Sequence, residues 1–79
     1  MSDDLGDLVD FLIRGLVDRQ DAVEIRVREG AQILYEVRVA PEDQGRVIGR
    51  EGRTIRSLRT LVQTAARKSG IRASVELVD

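Results

Sequence analysis

Residues 47–62 read VIGREGRTIRSLRTLV. Gly49 and Gly52 stand three apart around Arg50 and Glu51, and an arginine recurs every third residue from Arg50 to Arg59. Glycines at both corners permit a sharp turn and leave no Cβ in the way of an approaching backbone. From Arg53 the pattern turns helical. At about 100° per residue, Ile55, Leu58, Val62, Ala65 and Ala66 share one arc. Arg53, Arg56, Gln63 and Arg67 fall on the far side, with Arg59 at the edge of the apolar arc. Ser69-Gly70 closes the helix after Lys68, glycine taking the usual left-handed position. A bare turn that opens onto a basic helix offers an anion unpaired amides, a favourable dipole and planar arginine forks.

Working outward, the N-terminal segment from residue 3 to about 18 also reads as a helix. Leu5, Leu8, Leu12 and Leu16 recur at three and four, and Val9, Ile13 and Val17 widen the stripe. Ser2 or Asp3 is placed to cap it, and Asp3, Asp4 and Asp7 suit the positive end of its dipole. Phe11 lies off the stripe, so the apolar arc is wide enough to serve a second surface. Val23, Ile25 and Val27 alternate with charged residues, as do Ile33, Tyr35, Val37 and Val39; each run predicts a half-buried strand. Glu29 to Gln32 is a connection of hairpin length, so the two strands are expected to be antiparallel. Pro41, Glu42 and Asp43 predict a helix start, and Gly45 to Gly52, with three glycines, an interruption. Ile71, Ala73, Val75 and Leu77 predict a last strand, far enough from the second to lie parallel to it by a right-handed crossover. The expected fold is therefore α+β in the order α-β-β-α-α-β, a three-stranded mixed sheet with three helices on one face and solvent on the other.

At 79 residues this is one domain with a thin core. The absence of Cys and His removes disulfides, thiolate chemistry, the common zinc sites and imidazole catalysis. The carboxylates and hydroxyls show no spacing of a base–nucleophile pair, so neither an enzyme nor a cofactor is expected. The acidic N-terminus and the lack of a long apolar run leave a cytoplasmic location, with no membrane association, as the default. Net charge is −1, but residues 1–44 hold −6 and residues 45–68 hold +6. Positive charge is concentrated around the glycine turn.

A nucleotide P-loop needs a longer loop ending in Lys-Ser/Thr, and the dinucleotide fingerprint needs G-x-G-x-x-G straight after a strand. Neither is present. Successive phosphates on one side and flat faces over Val47, Ile48 and Ile55 describe single-stranded nucleic acid better. Residues 47–58, VIGREGRTIRSL, resemble the signature of the KH domain, in which V-I-G-x-x-G precedes x-x-I-x-x-L. The element order resembles the type II form of that domain, and the whole chain is similar to the short bacterial single-KH RNA-binding proteins of the KhpA type.

The resemblance implies that Gly49, Arg50, Glu51 and Gly52 clamp the backbone of about four nucleotides of single-stranded RNA. It also implies that Val47, Ile48 and Ile55 form the apolar cleft. Arg53 and Arg56, and less directly Arg59, are given phosphate roles from charge geometry alone. Glu51 inside the loop, the short Lys68-Ser69-Gly70 rim and the lack of cleft aromatics predict weak, loosely specific binding. An RNA chaperone or post-transcriptional regulator fits these features. The resemblance further implies a homodimer, or a heterodimer with a larger KH-domain protein, for which Leu61 and the wide first helix are candidate surfaces. The rival expectation is a KH-fold protein–protein adapter with little or no nucleic-acid binding, favoured by the acidic 1–44 segment.

Overall fold

The computed structural model describes residues 4–78, so the expected caps Ser2 and Asp3 lie outside the described residues. Helix α1 (Asp4–Arg14) leads to strands β1 (Glu24–Arg28) and β2 (Ile33–Arg38). The short helix α2 (Gln44–Ile48), the long helix α3 (Arg53–Lys68) and strand β3 (Ala73–Leu77) follow. The sheet order is β1-β2-β3, with β1 antiparallel and β3 parallel to the central β2. This is the α+β order and mixed sheet that the periodicities predict.

Alternation explains which face is buried. Tyr35 and Val37 on β2, Val75 on β3, Val9 and Ile13 on α1 and Val62 on α3 meet in an aliphatic core around the one tyrosine. The opposite face of the sheet is charged. Arg38 pairs with Glu24 across the strands at 3.7 Å and Arg28 with Glu36 at 3.6 Å. Exposed pairs of this kind contribute little stability but keep that face solvated.

Two boundaries differ from the sequence expectation. Helix α1 stops at Arg14, not near residue 18. Gly15 still bonds back to Phe11, but the next amide, Leu16, reaches only to Ile13, tightening the turn. Beyond it, the carboxylate of Asp43, 1% exposed, accepts the backbone N–H of Asp18 at 3.2 Å and of Arg19 at 2.9 Å. A carboxylate from 24 residues further along the chain thus takes amides that a longer helix would have used. The second difference is at Gly45, which lies inside α2 rather than in an interruption. A Cβ there would meet nothing within 4 Å, so the position does not demand glycine. The true break is confined to Gly49–Gly52.

Candidate functional site

The break between α2 and α3 is built from left-handed backbone. Gly49 has φ 76° and ψ 172°, Glu51 φ 57° and ψ 25°, and Gly52 φ 74° and ψ 15°. Gly49 ends α2 by donating its N–H to the carbonyl of Gly45 at 2.9 Å, and Gly52 closes the turn onto Gly49 at 3.1 Å. A Cβ on Gly49 would stand 2.6 Å from the Cβ of Thr54 and 2.9 Å from its backbone nitrogen, nearer still to its hydroxyl. Gly52 needs glycine for its positive φ only, because the space around it is open. Glu51 is the one non-glycine residue with positive φ among those described, a conformation costly for a side chain with no local hydrogen bond to offset it. No residue pattern at Glu51 signals this in the sequence.

Three arginines surround the turn. Arg50 is exposed and has no hydrogen-bond or ion-pair partner among the described residues. Arg53 lies 3.7 Å from the Glu51 carboxylate, both side chains being well exposed. Arg56 donates from Nη2 to the Glu51 carbonyl at 3.0 Å, so it braces the strained residue. Gly52, which precedes the 16-residue α3, provides no side-chain cap. Arg53, the first residue of α3, gives its amide to the carbonyl of Arg50, and an anion placed at this helix start meets both the dipole and the guanidinium charge.

The apolar wall is smaller than expected. Val47 is fully buried and Ile55 is 8% exposed, so both belong to the core beneath the turn; Ile48, at 41%, is the one of the three that presents surface. Arg59 also departs from a free phosphate ligand. Its Nε donates to the carbonyl of Val75 on β3 at 3.0 Å, fastening the helix to the strand edge. The sequence places Arg59 at the rim of the apolar arc, but nothing in it shows which carbonyl the side chain would reach.

That bond defines a groove. At about 100° per residue, Arg56, Arg59, Gln63 and Arg67 form a line along one flank of α3, and Arg59 shows that this flank faces β3. β3 is an edge strand, paired on one side to β2 alone. The groove lies between α3, about 24 Å long at 1.5 Å per residue, and this strand edge, and the Arg59–Val75 bond crosses it between the glycine turn and the Lys68–Gly70 connection. The short connection borders its far end rather than the turn itself.

Comparison with known proteins gives the family of the chain. The model of the KhpA/KhpB KH domain matches residues 6–77. The RNA-binding protein KhpA of Caldanaerobacter subterraneus subsp. tengcongensis is 47% identical over 75 residues, covering 94% of this chain and 100% of that protein. The proteins of the same name from Chlamydia caviae and Borreliella burgdorferi are each 39% identical over 74 residues; both alignments cover 92% of this chain, with 95% and 90% of those proteins.

Proposed function

Because this chain belongs to the KhpA/KhpB KH-domain family, we propose that it is a non-catalytic RNA-binding protein that holds a short single-stranded segment along the α3–β3 groove. The observation that carries this reading is the uncapped start of α3 beneath a turn stripped of side-chain bulk, with Arg50 free beside it. Gly52, open where a Cβ would stand, lets the sugar–phosphate chain approach, Gly49 packs the turn against Thr54, and the remaining loop amides and Arg50 hold its phosphates. Arg53 supplies charge at the helix start, while Arg56 keeps Glu51 and the turn in place. Ile48 offers the apolar contact for a base, with Val47 and Ile55 supporting it from below. A role as an RNA chaperone or post-transcriptional regulator suits a site that grips backbone more than sequence.

With three or four phosphates engaged, log K falls with log salt at a slope of about −2 to −3. Replacing Arg50 and Glu51 together by aspartate leaves the circular dichroism spectrum unchanged and abolishes binding to single-stranded RNA. Aspartate is tolerated in the left-handed region better than most residues, so the turn survives. Retained affinity in that folded variant refutes the assignment.

A footprint this small gains from a second binding unit. Phe11 on α1 is 74% exposed and Leu61 on α3 is 54% exposed. Leu8 and Ala65, one helical turn from each, line the same shallow cleft between the two helices. The proposed partner surface, for a second copy or a larger KH-domain protein, is this α1–α3 face. Around Leu61 it lies on the flank of α3 opposite the groove, and the two meet at Ile71 beyond the end of the helix.

A further inference from the structure

The two edges of the sheet are not alike. On β3 the outward carbonyl of Val75 is occupied by Arg59, whereas β1 pairs with β2 and leaves its other side open. The ladder fixes which groups of β1 are free. Ile33 donates to the carbonyl of Arg72 and Val37 accepts from the amide of Val78, so Ile33, Tyr35 and Val37 turn their backbone groups to β3. Leu34, Glu36 and Arg38 therefore turn theirs to β1, where they meet Arg28, Arg26 and Glu24. That leaves the amides and carbonyls of Ile25 and Val27 pointing out of the edge. The strand lacks proline, a bulge and an inward-pointing charge, which are usual guards of an open edge. It packs mainly on β2, and Val27 is left 47% exposed on the core face.

We infer that the β1 edge is a self-association surface, on which β1 of a second copy lies antiparallel about a two-fold axis at Ile25 and joins the two sheets into one. The strand's own residues, Glu24-Ile25-Arg26-Val27-Arg28, select both occupant and register. With Ile25 opposite its own copy, Glu24 of each chain faces Arg26 of the other on the outer face, and Val23 faces Val27 on the core face. Opposite charges at paired positions favour a ladder and like charges oppose it. Moving the axis to Glu24 or to Arg26 sets like charges face to face, and moving it to Val27 sets Arg26 against Arg28. A slip of one residue turns the apolar side chains to the charged face. Arg26 is exposed and has no hydrogen-bond or ion-pair partner among the described residues, and Glu24 has only the loose 3.7 Å contact to Arg38. Ile25 exchanges both backbone bonds with its copy, and the Val27 amide reaches the Val23 carbonyl; the Val23 amide is spent on Gln20 at 3.3 Å. Because Arg59 blocks the β3 edge, the pairing closes at two copies. A short strand pair is marginal in water, so the contact is populated at about millimolar local concentration, the regime of neighbouring copies held on one RNA. That last step rests on the RNA-binding reading; the edge itself does not, and it uses none of the glycine turn, the groove or the α1–α3 face.

The test uses the full chain carrying Phe11→Glu/Leu61→Glu, so that the α1–α3 face does not contribute. In ¹⁵N spectra, hydrogen exchange at the Ile25 and Val27 amides slows about twofold when the chain is raised from micromolar to millimolar concentration. The Arg26 amide, bonded to β2 in either state, does not change. Val27→Pro removes an outward N–H that the single chain does not use, so the variant folds, and Ile25 no longer responds to concentration. The chain has no cysteine, so single substitutions read the register. At millimolar concentration, Glu24→Cys and Arg26→Cys chains cross-link with each other severalfold more than either does with itself. Glu36→Cys and Arg38→Cys chains, with the same charge changes on β2, show no such bias. Polyuridylate long enough to seat several copies produces the mixed Glu24→Cys/Arg26→Cys product at micromolar protein. The surface is overturned if exchange at Ile25 and Val27 is independent of concentration, if Val27→Pro leaves the response of Ile25 intact, or if cross-linking is random. Mixed products at millimolar protein with no effect of RNA would keep the edge and remove RNA as the agent that gathers the copies.

Discussion

Gly49 and Gly52 look equivalent in the sequence, yet they resist substitution for different reasons. Gly52→Ala meets open space and only the penalty of a left-handed alanine, about 1–2 kcal/mol. Gly49→Ala adds a clash with both the side chain and the backbone nitrogen of Thr54. Thermal melts should show the larger loss at Gly49, and trimming Thr54 to alanine should not restore it, because the 2.9 Å approach to the backbone nitrogen stays. At Asp43, the hydrogen bond from the Arg19 amide is the main cause that holds the carboxyl below its usual 3.8; the Asp18 amide and the nearby Arg46 and Arg19 guanidinium groups act in the same direction, while burial opposes them. A group with a lowered folded value stabilises fully above the unfolded value and loses that contribution as the pH falls through the folded one. Denaturant midpoints of the parent should therefore decline below about pH 4, and Asp43→Asn, less stable at neutral pH, should decline less. The turn glycines and Arg50 were legible from residue type and spacing. The strained Glu51 and the amide-binding Asp43 were not, because both depend on backbone geometry with no compositional mark.

Among the elements, α3 is the best determined by its own residues. Its apolar arc and the Ser69-Gly70 stop place both ends where the structure has them, with Gly70 at φ 74°. The arc is also where stability is concentrated. Leu58 is 4% exposed, and Leu58→Ala should cost about 2–4 kcal/mol in urea unfolding. That is a large part of the roughly 4–12 kcal/mol expected for a chain of this length. Helix α1 shows the limit of periodicity. Leu16 and Val17 continue the pattern and Val17 is buried, but the helix has ended, because a buried position can be reached from a turn as well as from a helix. The apolar cleft shows the same limit from the other side. Val47, Ile48 and Ile55 are alike in type, and only the crossing of α2, α3 and the sheet decides that Ile48 alone faces outward.

For the whole molecule, Phe11 and Leu61 lie away from the glycine turn, on the flank of α3 opposite Arg56 and Arg59, so association through them leaves the turn accessible; only at the end of α3 does Ile71 border both sides. Light scattering at micromolar concentration should report self-association, and Phe11→Glu/Leu61→Glu should return the chain to monomer without weakening its hold on RNA. A strict monomer in the parent would leave only the heterodimer. The sheet order and mixed strand directions were legible from element order and connection length, since a long crossover permits a parallel pair and a short hairpin forces an antiparallel one. The groove was not, because it is made by one arginine reaching a carbonyl sixteen residues further along the chain.

That bond has another effect. An unpaired strand edge is a template on which a second copy can continue the ladder and so seed fibres. On β3 the outward carbonyl at the strand's midpoint is already occupied by a bulky cation, and the strand is only five residues long. Arg59→Ala would expose that template, and thioflavin fluorescence should rise sooner on heating than in the parent. The side chain that sets the width of the groove also keeps neighbouring molecules from stacking onto it.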